Sequence, residues 1–286
     1  MPEGESQSLD AEALEELQAG VRTRVRASQA GILTYFDKWL LEQHMASERT
    51  NAAERRDAQW IEGFAYRAAE GRFVRFAERT NESCAGIHGN GISGAASDIP
   101  DHIMRMSQGT QGPVRWRGLP LFKCAFDLAL YTHLLDEMRP GSIFEIGSGT
   151  GASALWFADM CSAFGAPCRV VSLDCRPPVA THPSVTFVAG DCAAVADCMP
   201  ETMLAEAPRP LLLIEDAHES VGKVLCHFAA HMKPGDRIVV EDSAGKQEVL
   251  GDFAKWTLDA FLVDTLYTDF FGYNATSAVN SFLIRC

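Results

Sequence analysis

Residues 142–151 read S-I-F-E-I-G-S-G-T-G, and the reading of the whole chain starts there. The apolar run Ile143-Phe144-Glu145-Ile146 predicts a short strand. Gly147, Ser148, Gly149 and Gly151 predict a tight turn, and a helix is expected over 152–164. Glycines let backbone approach a ligand closely, and a helix N-terminus presents unpaired N–H groups, so this stretch suits a nucleotide-type ligand. Glu145 is the odd residue, a carboxylate inside the strand just before the turn. A phosphate gains nothing from that charge, whereas a cationic ligand does.

Downstream, strands are expected at 169–173, 185–189, 211–215 and 237–241, alternating with helices at 193–206, 219–232 and 247–262. Further strands are expected near 264–268 and 280–285, and a helix over 122–138 leads into the first strand. This alternation predicts an α/β fold with a mostly parallel, doubly wound sheet and an antiparallel C-terminal edge strand. Upstream, residues 1–80 read as a helical region, with helices expected at 28–45 and 51–80. Six arginines in the second of these, Arg55 to Arg79, read as a solvated helix face rather than an anion site. Residues 81–120 are rich in glycine and read as a loop or lid, which leaves 121–286 as the main domain.

With 25 basic against 38 acidic residues the formal charge is −13, which argues against nucleic acid or an anionic membrane as partner. The acidic, polar start carries no secretory signal, and no apolar run approaches a membrane span. Nine scattered cysteines without a C-x-x-C pair read as reduced thiols of a cytoplasmic protein. The aromatic positions of the N-terminal region suggest a homo-oligomer.

Ligands of open α/β sheets lie at the carboxyl ends of the strands. There the chain places Glu145, then Asp174, Asp191, Glu215-Asp216 and Glu241-Asp242. One such carboxylate is often an N-cap; five successive strand ends call for a cation, a metal or a ribose. Asp174 is placed to bind ribose hydroxyls, and Asp191 to accept from an adenine amino group. Glu215, Glu241 and Asp242 offer only oxygen, which suits a hard cation such as Mg²⁺, with either Glu215 or Asp216 as the ligand on its strand. His218 lies beside them and suits the role of a base near neutral pH.

E-I-G-S-G-T-G resembles the first motif of class I S-adenosylmethionine-dependent methyltransferases. L-F-K-C-A-F-D-L before it, I-E-D-A-H after the fourth strand and K-P-G-D-R-I-V-V-E-D-S at the fifth resemble the cephalosporin hydroxylase/rhamnosyl O-methyltransferase family over residues 114–286. The resemblance implies a Rossmann-like methyltransferase fold with S-adenosylmethionine and Mg²⁺ as cofactors. It further implies O-methylation of a small-molecule acceptor, a natural product or a sugar-bearing secondary metabolite, as in antibiotic biosynthesis. Carried onto this sequence, it implies donor binding by Glu145, Gly147, Ser148, Gly149, Asp174, Asp191 and Glu215. Metal binding falls to Glu215, Asp216, Glu241 and Asp242, and the base to His218. Family members often carry Asp where this chain has Glu215, which hands the ligand role to Asp216 or moves the metal. Two alternatives stay open: G-S-G-T-G-A also fits the G-x-G-x-x-A of a nicotinamide oxidoreductase, and the donor could be a structural ligand of a protein that does not methylate.

Overall fold

The structure is a computed structural model that describes residues 72–81, 97 and 114–286. Its centre is an eight-stranded sheet in the order β1-β9-β10-β8-β7-β4-β5-β6. The parallel half comprises β4 (Ser142–Ile146), β5 (Arg169–Asp174), β6 (Val185–Ala189), β7 (Leu211–Glu215) and β8 (Arg237–Val240). From β4 the chain winds outward to β5 and β6, then crosses to the other side of β4 for β7 and β8. This reversal opens a crevice at the strand ends beside β4, which is where the glycine turn lies.

Alternate residues of a strand face opposite sides, and the core divides accordingly. Phe144, Ile146, Val171, Leu173, Leu213 and Ile238 pack against α6 (Val221–Ala229) and α7 (Gln247–Trp256). Ile143, Val170, Leu212, Ile214 and Val239 pack on the other face, against α2 (Ala125–Met138) and α3 (Ala152–Ala163). With both faces covered, β4 and β7 are buried along their whole length, so the carboxylates of Glu145 and Glu215 must find partners indoors.

The antiparallel C-terminal strand β10 (Phe282–Arg285) is present, but it enters between β8 and β9 (Phe261–Asp264) and pairs with both. The outer edge is therefore the two-residue β1 (Phe73–Val74), which pairs with β9 and precedes α1 (Phe76–Asn81). That strand interrupts the helix expected over 51–80, whose last part is helical as α1; the part before residue 72, and the helix at 28–45, lie outside the described residues. Arg72 and Arg79 are not a solvated face. Arg72 pairs with Asp264 at 2.8 Å and Glu137 at 2.7 Å, and Arg79 makes a two-pronged pair with Asp269 at 2.7 Å.

Three element bounds also shift. The helix expected over 193–206 is broken by Pro200 into α4 (Val195–Cys198) and α5 (Glu201–Ala205), since proline offers no N–H and restricts the residue before it. The helix from 247 stops at Trp256, because Leu258 and Asp259 take positive φ and turn the chain back into β9. The strand expected near 264–268 lies a few residues earlier, as β9, and Thr265–Thr268 form the helical turn α8, capped by the Asp264 carboxylate, which accepts from Leu266 N at 3.2 Å. Of the glycine-rich stretch 81–120, the described part is a hairpin of β2 (Arg115–Trp116) and β3 (Leu119–Pro120). Asp159 of α3 holds it by accepting from Trp116 Nε1 (2.7 Å) and from the Arg117 guanidinium.

Candidate active site

The turn after β4 has the geometry its glycines require. Gly147, Gly149 and Gly151 all have positive φ. At Gly147 a Cβ would lie 2.8 Å from the backbone of Asp216 and Ala217, so the β7 strand end closes directly on the turn. The turn opens into a cavity of about 550 Å³. Its wall carries Gly147–Thr150 and Asp174 on one side and Asp191 and Cys192 behind them; Asp216, His218, Glu241, Asp242 and Lys123 lie on the other side.

On the turn side, the Asp174 carboxylate accepts from Gly149 N (3.0 Å) and Arg176 N (2.8 Å), which fixes it upright at the strand end. Asp191 accepts from Ala193 N at 2.8 Å and caps the 3₁₀ turn Cys192–Ala194 while lining the cavity. Glu145 sits one layer behind the cavity wall. Its Oε2 accepts from Ser172 Oγ at 2.5 Å, and Ser172 Oγ lies 2.6 Å from Ser148 Oγ in the turn. Oε1 makes no hydrogen bond of good geometry, although the Ser153 hydroxyl is near enough to favour the charged form. Burial pushes the Glu145 carboxyl up to about 7, opposed by Lys123 and by the hydroxyls of Ser153 and Ser172.

The other side is organised by two lysines. Lys123, just before α2, is 3 % exposed and donates to Asp216 Oδ2 (2.5 Å) and Glu241 Oε2 (2.8 Å). Burial works against its charge, but Asp216, Glu241 and Glu145 outweigh it and hold the ammonium above the usual lysine range. Tyr131 Oη donates to the remaining oxygen of Glu241 at 2.6 Å. Burial and then Asp216 raise the Glu241 carboxyl well above its usual range, against the pull of Lys123. Lys246 donates to Glu215 Oε2 (2.8 Å), to the Glu241 carbonyl (2.6 Å) and to His218 Nδ1 (2.9 Å). An ammonium has three N–H donors and here meets three acceptors, so Nδ1 accepts and the neutral ring carries its proton on Nε2.

The carboxylates at the ends of β7 and β8 thus separate into two kinds. Glu215 is fully buried; its Oε1 accepts from Ala217 N and His218 N, and its Oε2 binds Lys246. Glu241 is engaged by Lys123 and Tyr131. Asp216 and Asp242 remain at the cavity, where one oxygen of each and a His218 ring nitrogen all lie within 4.8 Å of one another. His218 Nε2 is 3.6 Å from both carboxylates. Partial burial, then the charge of Asp216, raises the Asp242 carboxyl. Two carboxylates converging at the cavity fit a divalent cation held through oxygen. The cluster brings Asp216, Asp242 and His218 together, and it leaves Glu215 to the backbone and a lysine.

Lys123, Tyr131 and Lys246 take no part in the sequence expectations for the site. Lys123 had a signal, a lysine inside the apolar run L-F-K-C-A-F-D-L. The other two had none, since their partners come from distant strand ends.

The model of the family described as rhamnosyl O-methyltransferase/CmcI matches residues 109–257. A rhamnosyl O-methyltransferase of Mycobacterium leprae is 30 % identical over 191 residues, covering 59 % of this chain and 82 % of that protein. One from Mycobacterium tuberculosis is 29 % identical over 193 residues, covering 59 % and 77 %. Among solved structures, an apo-structure of CmcI superposes with TM-score 0.53 at 25 % identity, over 70 % of this chain and 89 % of that one. A Mg-SAM form of CmcI, 24 % identical with TM-score 0.52 over 70 % and 90 %, shares the fold. The match covers the glycine turn, Asp174, Asp191 and every strand-end carboxylate of the cavity, and it removes the nicotinamide alternative. The chain belongs to the rhamnosyl O-methyltransferase/CmcI family and is a class I S-adenosylmethionine-dependent O-methyltransferase.

Proposed function

We propose that this enzyme methylates a hydroxyl of a small molecule, a natural product or sugar-bearing secondary metabolite, in a Mg²⁺-dependent reaction in the cytoplasm. The observation that carries the reading is a single cavity joining the glycine turn and Asp174 to the Asp216–His218–Asp242 cluster. A donor seated at the turn therefore has an acceptor beside the cluster within reach. When bound, S-adenosylmethionine supplies an electrophilic methyl group, and Mg²⁺ supplies the Lewis acidity that lowers an acceptor hydroxyl's pKa. Asp216 and Asp242 hold the cation, with Glu241 behind them. Asp174 takes the ribose hydroxyls and Asp191 the adenine amino group. Glu145 and Glu215 support the turn and the β7 strand end from within.

His218 takes the acceptor's proton at Nε2. For that, the ring proton must sit on Nδ1, so the Lys246–Nδ1 hydrogen bond opens before transfer. Lys246 then keeps its other two acceptors, Glu215 Oε2 and the Glu241 carbonyl. Among the described residues no helix is long and apolar enough to cross a membrane. The aromatic positions of residues 28–80 support a homo-oligomer, which light scattering on a sizing column tests.

The decisive experiment is calorimetric titration of S-adenosylmethionine and S-adenosylhomocysteine into metal-free protein, repeated with Mg²⁺, followed by a turnover screen of hydroxylated and glycosylated metabolites with and without EDTA. Donor binding without metal, with turnover lost in EDTA, is the expected result. Full turnover in EDTA removes the metal from the reaction. Binding of the donor with no transfer to any hydroxylated acceptor class favours the structural-ligand reading.

A further inference from the structure

Lys123 lies at the join between the buried support of the site and its open cluster. Its Nζ bridges Asp216 Oδ2 and Glu241 Oε2, and the side chain is almost wholly enclosed. Glu241 spends its second oxygen on Tyr131. Asp216 turns its other oxygen, Oδ1, towards His218 Nε2, where Asp242 Oδ2 also converges. Asp216 is therefore shared, with one oxygen on the lysine and the other on the cluster.

The charges explain the arrangement. Lys123 sets one positive charge directly against Asp216 and Glu241. Among the described residues Lys246 also lies close; it meets the buried Glu215 carboxylate, a carbonyl and an imidazole, and its charge reaches Asp242. A divalent cation at Asp216 and Asp242 would share Asp216 with Lys123. The same lysine repels that cation, because both pull on Asp216.

We propose that Lys123 is a positioning residue that ties Asp216 to Glu241 and competes with the divalent cation for Asp216, thereby setting how weakly the cation binds. The proposal rests on the Mg²⁺ reading of the cluster. A side chain that merely filled space would, on removal, loosen the site and weaken metal binding. Removal of a competing charge does the reverse.

The test uses the full chain and Mn²⁺ alone as the probe, with free Mn²⁺ read from its electron paramagnetic resonance signal. Lys123→Met, which keeps the length of the side chain without the charge, binds Mn²⁺ about tenfold more tightly than the unaltered protein, as loss of a neighbouring like charge requires. Lys123→Arg keeps the charge and stays within about threefold of it. In thermal melts, Mn²⁺ raises the midpoint of Lys123→Met more than that of the unaltered protein. Unchanged or weaker Mn²⁺ affinity in a folded Lys123→Met overturns the proposal. If that variant folds only with Mg²⁺ present, the metal has replaced the lysine and the proposal stands; failure to fold even then, in both Lys123→Met and Lys123→Gln, overturns it. Absence of Mn²⁺ binding to the unaltered protein is a different failure, since it removes the metal reading itself.

Discussion

Glu145 shows how one residue can shape a cavity it does not line. Its carboxylate is fully buried and tied through Ser172 to Ser148 of the turn, so it governs the turn's shape from behind. Because its folded-state pKa lies near 7 and its ordinary value is 4.5, the folded chain binds the proton more tightly than the unfolded one. The stability it contributes is complete below about pH 4.5 and is lost as pH rises through 7, by about 3 kcal/mol at most. Glu145→Gln cannot titrate and therefore gains on the unaltered protein between pH 5 and pH 8. Urea unfolding at the two pH values checks this, and parallel losses in both proteins would contradict it. A second contrast at this scale is between two glycines of one motif. Gly147→Ala drives a methyl group into the backbone of Asp216 and Ala217, with an expected cost of about 3 kcal/mol; Gly149→Ala meets only open space and costs about 1 kcal/mol for its positive φ. The difference between their urea midpoints is the measurement.

Elements were legible in the sequence wherever local chemistry decides them. The strand–turn–helix of 142–163 and the buried parallel strands follow from apolar runs and glycines within a few residues of each other. Legibility failed where a partner far along the chain decides. Lys123 meets Asp216 and Glu241 across 93 and 118 positions, and no local pattern announces such a pair. The stretch R-F-V-R-F at 72–76 suits either a helix or a strand, and pairing with β9 settles it as β1. Thr265–Thr268 has strand-like β-branched residues, but the Asp264 cap turns it into a helix. Among the strand-end acids, position alone could not separate Asp216 and Asp242 from Glu215, because that depends on Lys246 arriving from the 3₁₀ turn Ser243–Lys246. Asp264 yields the element-scale prediction. It is fully buried at the end of β9 and holds the guanidinium groups of both Arg72 and Arg237. Asp264→Asn removes the buried carboxylate the two arginines share and leaves both to Glu137, which is 2.7 Å from Arg72 and 3.8 Å from Arg237, at a cost of about 3 kcal/mol. It should also free β1 first, seen as faster amide exchange at Phe73 and Val74 than elsewhere in the sheet.

Across the molecule, the two halves of the cavity draw on different parts of the sheet. The glycine turn, Asp174 and Asp191 stand on β4, β5 and β6, whereas Glu241 and Asp242 follow β8. The far side of β8 is completed by β10, and Ser281 binds Val240 through both its backbone carbonyl and its hydroxyl. On a ribosome these halves mature at different times. The half with the glycine turn has β4, β5 and β6 once residue 189 has emerged, but β8 keeps a bare edge, and β9 has no strand joining it to β8, until 281–285 follow. A nascent chain arrested with about 280 residues outside the exit tunnel should resist protease around β4–β6 and be cut around β9, and extension past β10 should abolish the cuts. Inserting the last strand between two earlier ones thus makes the enzyme's birth a two-step event, in which the Glu241–Asp242 end of the cavity waits for synthesis to reach β10.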